Sequence, residues 1–380
     1  MRIGFDSKRA FQNTRGLGNY SRNLINGLLC DYPDNQYYLF GQPPVNKEYA
    51  DWLRKVANQV TLVSSDSGSS IKKILWRSYF MENDIKNNKL DIYHGLSHEI
   101  PFKSKNKHTK YIVTIHDLLF LRFRQNFKWV DIQIYLSKIK YSCKHADLIL
   151  AVSDQTKQDL INFLDVPSEK IVVSYQSCSD LYYQEQNETV KTFVKTTYNL
   201  PDNYYLFVGA LVKHKNIDRI IEALAFLPKE IQYPLVIVGK GNEYKKHLLE
   251  IIKKHQLADK IHFIDYVQSE HLPSIYQLAK LLIWPSLFEG FGIPIVEALF
   301  SKLPVITSNV GCFSEVGGEG TCYVNPESAS DIALAIESIA TNPIRYAEMQ
   351  ANGYAYVQKF HIRNTTAQLM ELYSNLTKIG

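Results

Sequence analysis

Short apolar runs alternate with helix-like patterns along the whole chain, and this alternation limits the possible folds more than any other feature. In the first half the apolar runs are RIGFD, YYLFG, VTLV, DIYH, YIVTIH, LILAV and KIVVS. In the second half they are YYLFVG, PLVIVG, IHFID, LLIWP, PVITS and TCYVN. Strands that alternate with helices build parallel sheets with helices on both faces. The sequence therefore predicts an α/β protein with doubly wound sheets.

The strand pattern is interrupted once and then restarts, which indicates two domains. A chain of 380 residues is also too long for one ordinary hydrophobic core. Between the two sets of strands lies a polar and weakly periodic stretch, which we interpret as a linker. The predicted organisation is a Rossmann-like domain at 1–183, a linker at 184–203 and a second Rossmann-like domain at 204–358.

The composition is that of an ordinary globular protein, with 45% hydrophobic and 21% charged residues. No run approaches the ~18–20 apolar residues of a membrane span, and the N-terminal stretch lacks the apolar core of a signal peptide. The five cysteines are scattered and include no C-x-x-C pair, which favours neither a disulfide framework nor a zinc site. We therefore expect a cytoplasmic protein.

The net charge of +5 is unevenly distributed. Residues 1–183 carry a net charge of +7, and residues 184–380 carry −2. The basic residues are mixed with aromatic and acidic ones rather than collected in a tail, so phosphorylated or anionic-lipid partners are favoured over nucleic acid. Peripheral contact with the inner membrane surface is one hypothesis for this basic half.

A predicted helix at 129–145 in the basic half has an apolar face. Such a face is typical of a helix that packs on a core, and contact with a membrane is the alternative. The residues of this face are Trp129, Ile132, Leu136 and Ile139.

The stretch PSLFEGFGIPIVEALFS carries two carboxylates eight positions apart, Glu289 and Glu297. It follows a predicted strand, and Pro294 suits the first turn of a helix. Gly290 and Gly292 allow close approach of the backbone, and the free N–H groups of a helix start can bind anions or sugar hydroxyls. Carboxylates beside such donors can hold vicinal hydroxyls. The alternative is a favourable helix-start charge at Glu297 and a solvated loop residue at Glu289.

Motifs for other chemistries are missing or incomplete. The loop TRGLGNYS has Gly16 and Gly18, but Ser21 replaces the last glycine of a dinucleotide-binding G-x-G-x-x-G. The sequence has no D-x-D, no H-E-x-x-H, no cysteine–histidine cluster and no P-loop. We therefore expect neither a metal nor a nicotinamide cofactor.

The E-x7-E spacing within EGFGIPIVEAL resembles the signature of the retaining family 4 glycosyltransferases. These enzymes use nucleotide-sugars and have the GT-B fold, in which two Rossmann-like domains face each other across a cleft. Other stretches resemble the same family, among them GFDSKRAFQNTRGLGNYSRNL, YIVTIHDLLFLRF, FVGALVKHKNIDRIIEAL and VIVGKG. The closing segment 359–380 resembles the tail helix that returns to the N-terminal, acceptor-binding domain.

The resemblance assigns donor-binding roles in the second domain. Glu297 would hold the nucleotide ribose, and Glu289 would contact the donor sugar. Lys215 would stabilise the leaving diphosphate, which needs a cation as negative charge builds up on it; a solvated surface lysine is the alternative. Ala210 stands where the family often has an arginine, so the phosphate site would depend more on Lys215 and backbone amides. The remaining donor-binding residues implied are Gly209, Gly239, Gly290, Phe291 and Gly292.

In the first domain the resemblance assigns His116 and Gly18. His116 ends a predicted strand and would contact the donor sugar or order the acceptor, with Asp117 supporting its loop. Gly18 would approach the donor diphosphate at a helix start. The alternatives are a structural histidine and a plain turn.

The implied reaction is transfer of a hexose from a nucleotide-sugar to an acceptor hydroxyl, with the anomeric configuration retained and without metal or cofactor. GDP-mannose is slightly favoured as donor over a UDP-sugar, and the acceptor would be a polysaccharide, an oligosaccharide or a lipid-linked glycan. The alternatives are a GT-B-fold sugar-nucleotide epimerase and a non-catalytic nucleotide-sugar binding protein. A glycosidase with Glu289 as nucleophile fits a nucleotide site less well.

Overall fold

The chain forms two compact units, each built around one parallel sheet. The first unit consists of Met1–Cys178 together with Phe360–Gly380, and the second consists of Ser179–Lys359. The second unit is therefore an insertion in the sequence of the first. The computed structural model describes residues 1–13, 16–65, 69, 75–102 and 108–378.

Within those residues, the sheet of the first unit has seven parallel strands in the order β3-β2-β1-β4-β5-β6-β7. The order reverses between β1 and β4, which is the predicted doubly wound arrangement. The strands are β1 Arg2–Asp6, β2 Gln36–Phe40, β3 Val60–Val63, β4 Ile92–Gly95, β5 Lys110–Ile115, β6 Leu148–Ala151 and β7 Ile171–Val173.

Both faces of this sheet are buried. In β5, Val113 and Ile115 belong to one hydrophobic cluster and Ile112 belongs to another. Alternate residues of a strand point to opposite faces, so the two clusters are the cores on the two sides of the sheet. In the described ranges of Met1–Cys178, the α-helices are Lys8–Gln12, Gly16–Asp31, Lys47–Val56, Met81–Asn87, Leu119–Arg122, Trp129–His145 and Asp154–Leu164.

The predicted apolar face of the helix Trp129–His145 is confirmed only in part. Ile132 and Ile139 are buried, and Leu136 packs partly against the core. Trp129, in contrast, is 71% exposed. Trp129 is the first residue of the helix, and the core contacts that bury Ile132 and Ile139 do not extend to it. In the described ranges, no helix combines the length and hydrophobicity needed to cross a membrane.

In the second unit, the sheet has six parallel strands in the described part of the chain, in the order β10-β9-β8-β11-β12-β13. All thirteen strands predicted from the sequence are thereby confirmed. The strands are β8 Tyr205–Val208, β9 Leu235–Val238, β10 Ile261–Ile264, β11 Leu281–Trp284, β12 Val305–Ser308 and β13 Thr321–Val324. The helices are Glu188–Thr197, Ile217–Leu224, Glu243–Lys254, Leu272–Leu278, Ile293–Phe300, Phe313–Gly317, Ala329–Ala340 and Pro343–Val357.

The segment that we interpreted as a linker, 184–203, contains the helix Glu188–Thr197 and is part of the second unit. Asn187 begins this helix by accepting a hydrogen bond from the backbone N–H of Val190. Val194 is its one fully buried apolar residue in the described structure. A single buried position leaves little periodicity in the sequence, which is why the pattern did not indicate a helix.

The last helix, Ile362–Lys378, packs in the first unit against the helix Gly16–Asp31. The two helices approach closely at Gly27, where a Cβ atom would lie 2.6 Å from Cγ1 of Ile362. Further along, the Tyr373 hydroxyl is 2.6 Å from Nδ1 of the buried His94 in β4. The last helix therefore completes the core of a unit whose other residues lie far away in the sequence.

We expect Gly27→Val to separate these two helices. The clash is with β-branched side chains that cannot turn away, and overpacking of this kind costs about 1–3 kcal/mol of unfolding free energy. Gly16→Val is the matched control in the same helix, because among the described residues no atom outside its chain neighbours and helix backbone would lie within 4 Å of a Cβ there. Urea denaturation followed by circular dichroism measures both variants, and equal midpoints would contradict the packing described.

Candidate active site

Two glycines bring the loops after β8 and β9 into direct backbone contact. Gly209 has φ +156° and Gly239 has φ +155°. A Cβ atom on Gly239 would lie 1.8 Å from the carbonyl oxygen of Gly209. A side chain at this position would force the two loops apart, so glycine is required there.

Lys215 and Glu289 form a largely buried ion pair at the carboxyl ends of neighbouring strands. Lys215 lies in the 3₁₀ turn Lys213–Lys215 after β8, and Glu289 lies in the loop after β11, which pairs with β8. The Nζ atom of Lys215 donates to Oε1 of Glu289 over 2.5 Å, and the two side chains are 13% and 18% exposed. Glu289 is therefore a partnered carboxylate and not a solvated loop residue.

The indole ring of Trp284 lies beside three of the predicted site residues. The ammonium of Lys215 lies 4.4 Å from a ring centroid of Trp284, a favourable cation–π distance. A Cβ atom added to Gly209 would lie 3.7 Å from an atom of the same indole, and one added to Gly292 would lie 3.5 Å from another. Trp284 is the last residue of β11 and is buried, and nothing in its sequence context distinguished it from other core residues.

Asn216 fixes the turn that carries Lys215. Its backbone is left-handed, with φ +60°, and its side-chain amide donates to the carbonyl oxygens of Pro285 over 3.0 Å and Pro326 over 2.6 Å. These two bonds tie the loop after β8 to the loops after β11 and β13. Asparagine is enriched in left-handed conformations, so an asparagine just before a predicted helix could have indicated this turn. The two carbonyl acceptors of its side chain could not be predicted from the sequence.

The helix Ile293–Phe300 begins as predicted. Gly292 precedes it with φ +122°, and Pro294 lies in its first turn. Phe291 is buried, and its carbonyl oxygen accepts a hydrogen bond from Sγ of Cys312 over 2.9 Å. The thiol therefore supports the loop between the two carboxylates, a role that sequence reasoning did not assign to any cysteine.

Glu297 is buried on this helix between two tyrosines. The hydroxyl of Tyr276 donates to Oε2 of Glu297 over 2.7 Å, and the side chain of Tyr182 also hydrogen bonds to the carboxylate. Burial raises the pKa of Glu297 to about 7, and the two tyrosine hydrogen bonds act against this rise. Glu297 is therefore far from an exposed helix-start charge, and it changes protonation state near neutral pH.

His116 lies in the first unit with both ring nitrogens occupied. Its Nε2–H donates to the carbonyl oxygen of Leu96 over 2.8 Å, so Nδ1 is the acceptor for the amide of Gln176 at 2.8 Å. Burial and the neighbouring His98 lower the pKa of His116 to about 3. The ring is therefore neutral and held in one tautomer.

Gly18 is the third residue of the helix Gly16–Asp31 in the first unit. A Cβ atom there would lie 1.8 Å from the carbonyl oxygen of Asn13, so a side chain cannot be accommodated. Asp117 accepts a hydrogen bond from the backbone N–H of Leu119 over 2.9 Å and so supports the loop after His116.

The structure therefore groups the predicted residues by unit. Lys215, Glu289 and the loop glycines lie together at the carboxyl edge of the second sheet, whereas His116 and Gly18 belong to the first unit. Over the described residues, no three His, Cys, Asp or Glu side chains are grouped so that they could hold a metal ion.

Two family models match successive parts of the chain. Glycosyltransferase Family 4 matches residues 15–176, and Glycosyl transferases group 1 matches residues 190–356. The O-antigen chain mannosyltransferase RfbU of Salmonella typhimurium is 30% identical over 308 residues, which cover 78% of this chain and 81% of that protein. The chain belongs to the family 4 glycosyltransferases. Its predicted enzyme class is confirmed.

Other relatives of this glycosyltransferase differ in length. The O-antigen chain mannosyltransferase B of Escherichia coli is 24% identical over 389 residues, covering 99% of this chain and all of that protein. The serotype-specific mannosyltransferase WbdA of Escherichia coli is 28% identical over 295 residues, or 74% of this chain. The match spans only about a third, 36%, of WbdA.

Solved structures confirm the fold of this glycosyltransferase. The crystal structure of Anabaena Alr3699/HepE in complex with UDP and glucose superposes with a TM-score of 0.76 over 99% of this chain and all of that one. The identity is 17%, so this likeness concerns the fold alone. The fold is GT-B, built from two Rossmann-like domains, as the motifs predicted.

Proposed function

We propose that this glycosyltransferase transfers a hexose from a nucleotide-sugar to a hydroxyl group of a glycan and retains the anomeric configuration. The observation that carries the proposal is the Lys215–Glu289 pair, held at the same sheet edge from which the helix of Glu297 begins. GDP-mannose is the favoured donor because the O-antigen relatives are named mannosyltransferases. A UDP-sugar is the second candidate, because a protein of the same fold was crystallised with UDP and glucose.

Each predicted site residue of the second unit has a proposed role in binding the donor. Glu297 accepts hydrogen bonds from the ribose hydroxyls, and Glu289 accepts from hydroxyls of the transferred sugar. Lys215 faces the diphosphate, where negative charge builds up as the glycosidic bond breaks. Backbone groups of the glycine-rich loops surround the donor, at Gly209, Gly239, Gly290, Phe291 and Gly292.

The residues of the first unit have proposed roles toward the sugar and the acceptor. The neutral, fixed ring of His116 orders the acceptor or contacts the donor sugar without transferring a proton, since both of its nitrogens are bonded. Gly18 gives the diphosphate access to the N–H groups at the start of its helix.

The proposed mechanism requires no side-chain nucleophile, metal or cofactor. The acceptor hydroxyl attacks from the face that the diphosphate leaves, and the leaving phosphate oxygen takes its proton. Orientation of the two substrates and stabilisation of the departing charge then supply the catalysis. Glu289 holds Lys215 in place until the diphosphate oxygens bind.

Donor binding is tested by thermal shift with GDP, UDP, ADP, their sugar conjugates and NAD. A ligand that binds only the folded state raises the melting temperature, so we expect a shift with GDP-mannose and its loss in Glu297→Ala. Glu250→Ala, an exposed acidic position in the same unit, is the control that keeps the shift. A response to NAD alone, or none to any nucleotide-sugar, would overturn the proposal. Product analysis with the donor alone would reveal an epimerase.

We expect Lys215→Ala to lower turnover about 100- to 1,000-fold with little change in donor affinity, because the interaction is strongest once charge has developed on the diphosphate. Lys213→Ala removes an exposed lysine from the same turn and should retain turnover. Sugar transfer to a glycan acceptor measures both variants. Equal turnover by the Lys215→Ala and Lys213→Ala variants would show that Lys215 does not act on the leaving group.

We further propose that the first unit contacts an anionic membrane surface, where a lipid-linked acceptor would be found. Val130 and Ile134 lie four residues apart on the outward side of the helix Trp129–His145 and are 58% and 48% exposed, next to Trp129 at 71%. Residues 122–144 include six basic residues and one acidic residue. An apolar patch within a basic surface suits the interface of an anionic bilayer.

Sedimentation with phosphatidylglycerol-containing vesicles tests this contact. We expect binding at low salt, weaker binding at high salt, and about tenfold weaker binding when Trp129, Val130 and Ile134 are replaced by serine. The control replaces Phe226 and Leu334, each 63% exposed on the second unit, by serine. The contact is refuted if the protein stays in the supernatant at low salt or if both variants bind equally.

A further inference from the structure

Two tyrosines from different elements converge on the Glu297 carboxylate. Tyr276 comes from the helix Leu272–Leu278, and Tyr182 comes from the 3₁₀ turn Asp180–Tyr182. Their rings pack edge to face, with centroids 5.5 Å apart and planes at 85°. Both residues are buried, at 0% and 4% exposure, so their hydroxyls need partners inside the protein.

A carboxylate that holds ribose must be ionised, because both ribose hydroxyls donate to it. An ionised carboxylate has about four acceptor positions, so the tyrosines can use some and leave others for a ligand. Protonation would convert one oxygen into a donor and reduce the number of acceptor positions left for the two ribose hydroxyls. Burial at Glu297 favours the protonated form, whereas hydrogen bonds from hydroxyl groups favour the ionised one.

We infer that Tyr276 and Tyr182 are positioning residues that keep the Glu297 carboxylate ionised and oriented for a nucleotide ribose. The inference rests on the proposed function, in which Glu297 is the ribose ligand. It assigns to the tyrosines no contact with the nucleotide. Their effect is to set the pH range in which the donor binds.

The other titratable groups around this carboxyl do not account for the shift of its pKa. The pKa shift of Glu297 has three causes, namely burial, Tyr276 and Tyr182. The helix of Glu297 also packs against the helices Phe313–Gly317 and Pro343–Val357. Titratable side chains of those two helices are Glu315, Arg345, Tyr346, Glu348, Tyr354 and Tyr356. None of them, nor Asp180 beside Tyr182, is among the causes.

The sign of the pH dependence follows from the pKa of about 7 in the free protein. Donor affinity should rise as the pH increases through about 7 and level off above it, because only the ionised carboxylate accepts both hydroxyls. Removing one tyrosine hydroxyl raises the pKa of Glu297 further. The midpoint of the affinity profile should then move to higher pH by about one unit.

Isothermal titration calorimetry between pH 5.5 and 9 tests the inference, with GDP-mannose and UDP-glucose as probes because their diphosphates do not titrate in this range. We expect Tyr276→Phe to weaken binding about fivefold at pH 7 and to recover near pH 9. Tyr182→Phe should act in the same direction. Tyr205→Phe is the matched control, since Tyr205 is a buried tyrosine of the same unit that donates to the carbonyl oxygen of Ile231.

The outcomes separate this inference from the proposed function. If Tyr276→Phe and Tyr182→Phe weaken binding equally at every pH, or leave the midpoint unmoved, the tyrosines are merely structural and the inference is overturned. In that case Glu297→Ala still abolishes binding and the proposed function stands. If the Glu297→Ala variant binds the donor as tightly as the wild-type protein does, the assignment of Glu297 to the ribose fails, and the inference fails with it.

Discussion

Parallel pairing of the strands is the constraint on which the rest of this structure depends. Each strand must be followed by a crossover before the next, so the carboxyl ends of all strands in a sheet meet at one edge. In the second unit this places the loops after β8, β9 and β11 side by side. Lys215, Gly239 and Glu289 are distant in the sequence, and they come to one edge because the strands before them are neighbours.

The two carboxylates of the E-x7-E stretch lie in opposite environments. Glu289 faces the ammonium group of Lys215 and pairs with it directly. Glu297 is buried among hydroxyl groups, where burial raises its pKa to about 7. The two environments differ because Glu289 lies in the loop before the helix, whereas Glu297 lies within the helix on its buried side. Similar residues in one motif therefore differ in chemistry.

The sequence predicted what depends on local patterns. Every strand, the glycine turns and Pro294 follow from periodicity and backbone preference, and the family resemblance follows from spacing. It did not predict the residues that hold the site in place, Asn216, Trp284, Tyr276 and Cys312, because their partners lie far along the chain and are selected by packing. The exposure of Trp129 was also missed, because periodicity shows which residues share a face but not where the core beneath it ends.

The insertion of the second unit within the first affects how this chain is made. A ribosome adds residues from the N-terminus onward, so all of Ser179–Lys359 is available before the last segment of the first unit exists. Until the helix Ile362–Lys378 emerges, the core that receives Leu369, Met370 and Tyr373 is uncovered. The unit that begins first is thus completed last, and its open apolar face is a site for chaperone binding or misassembly during synthesis.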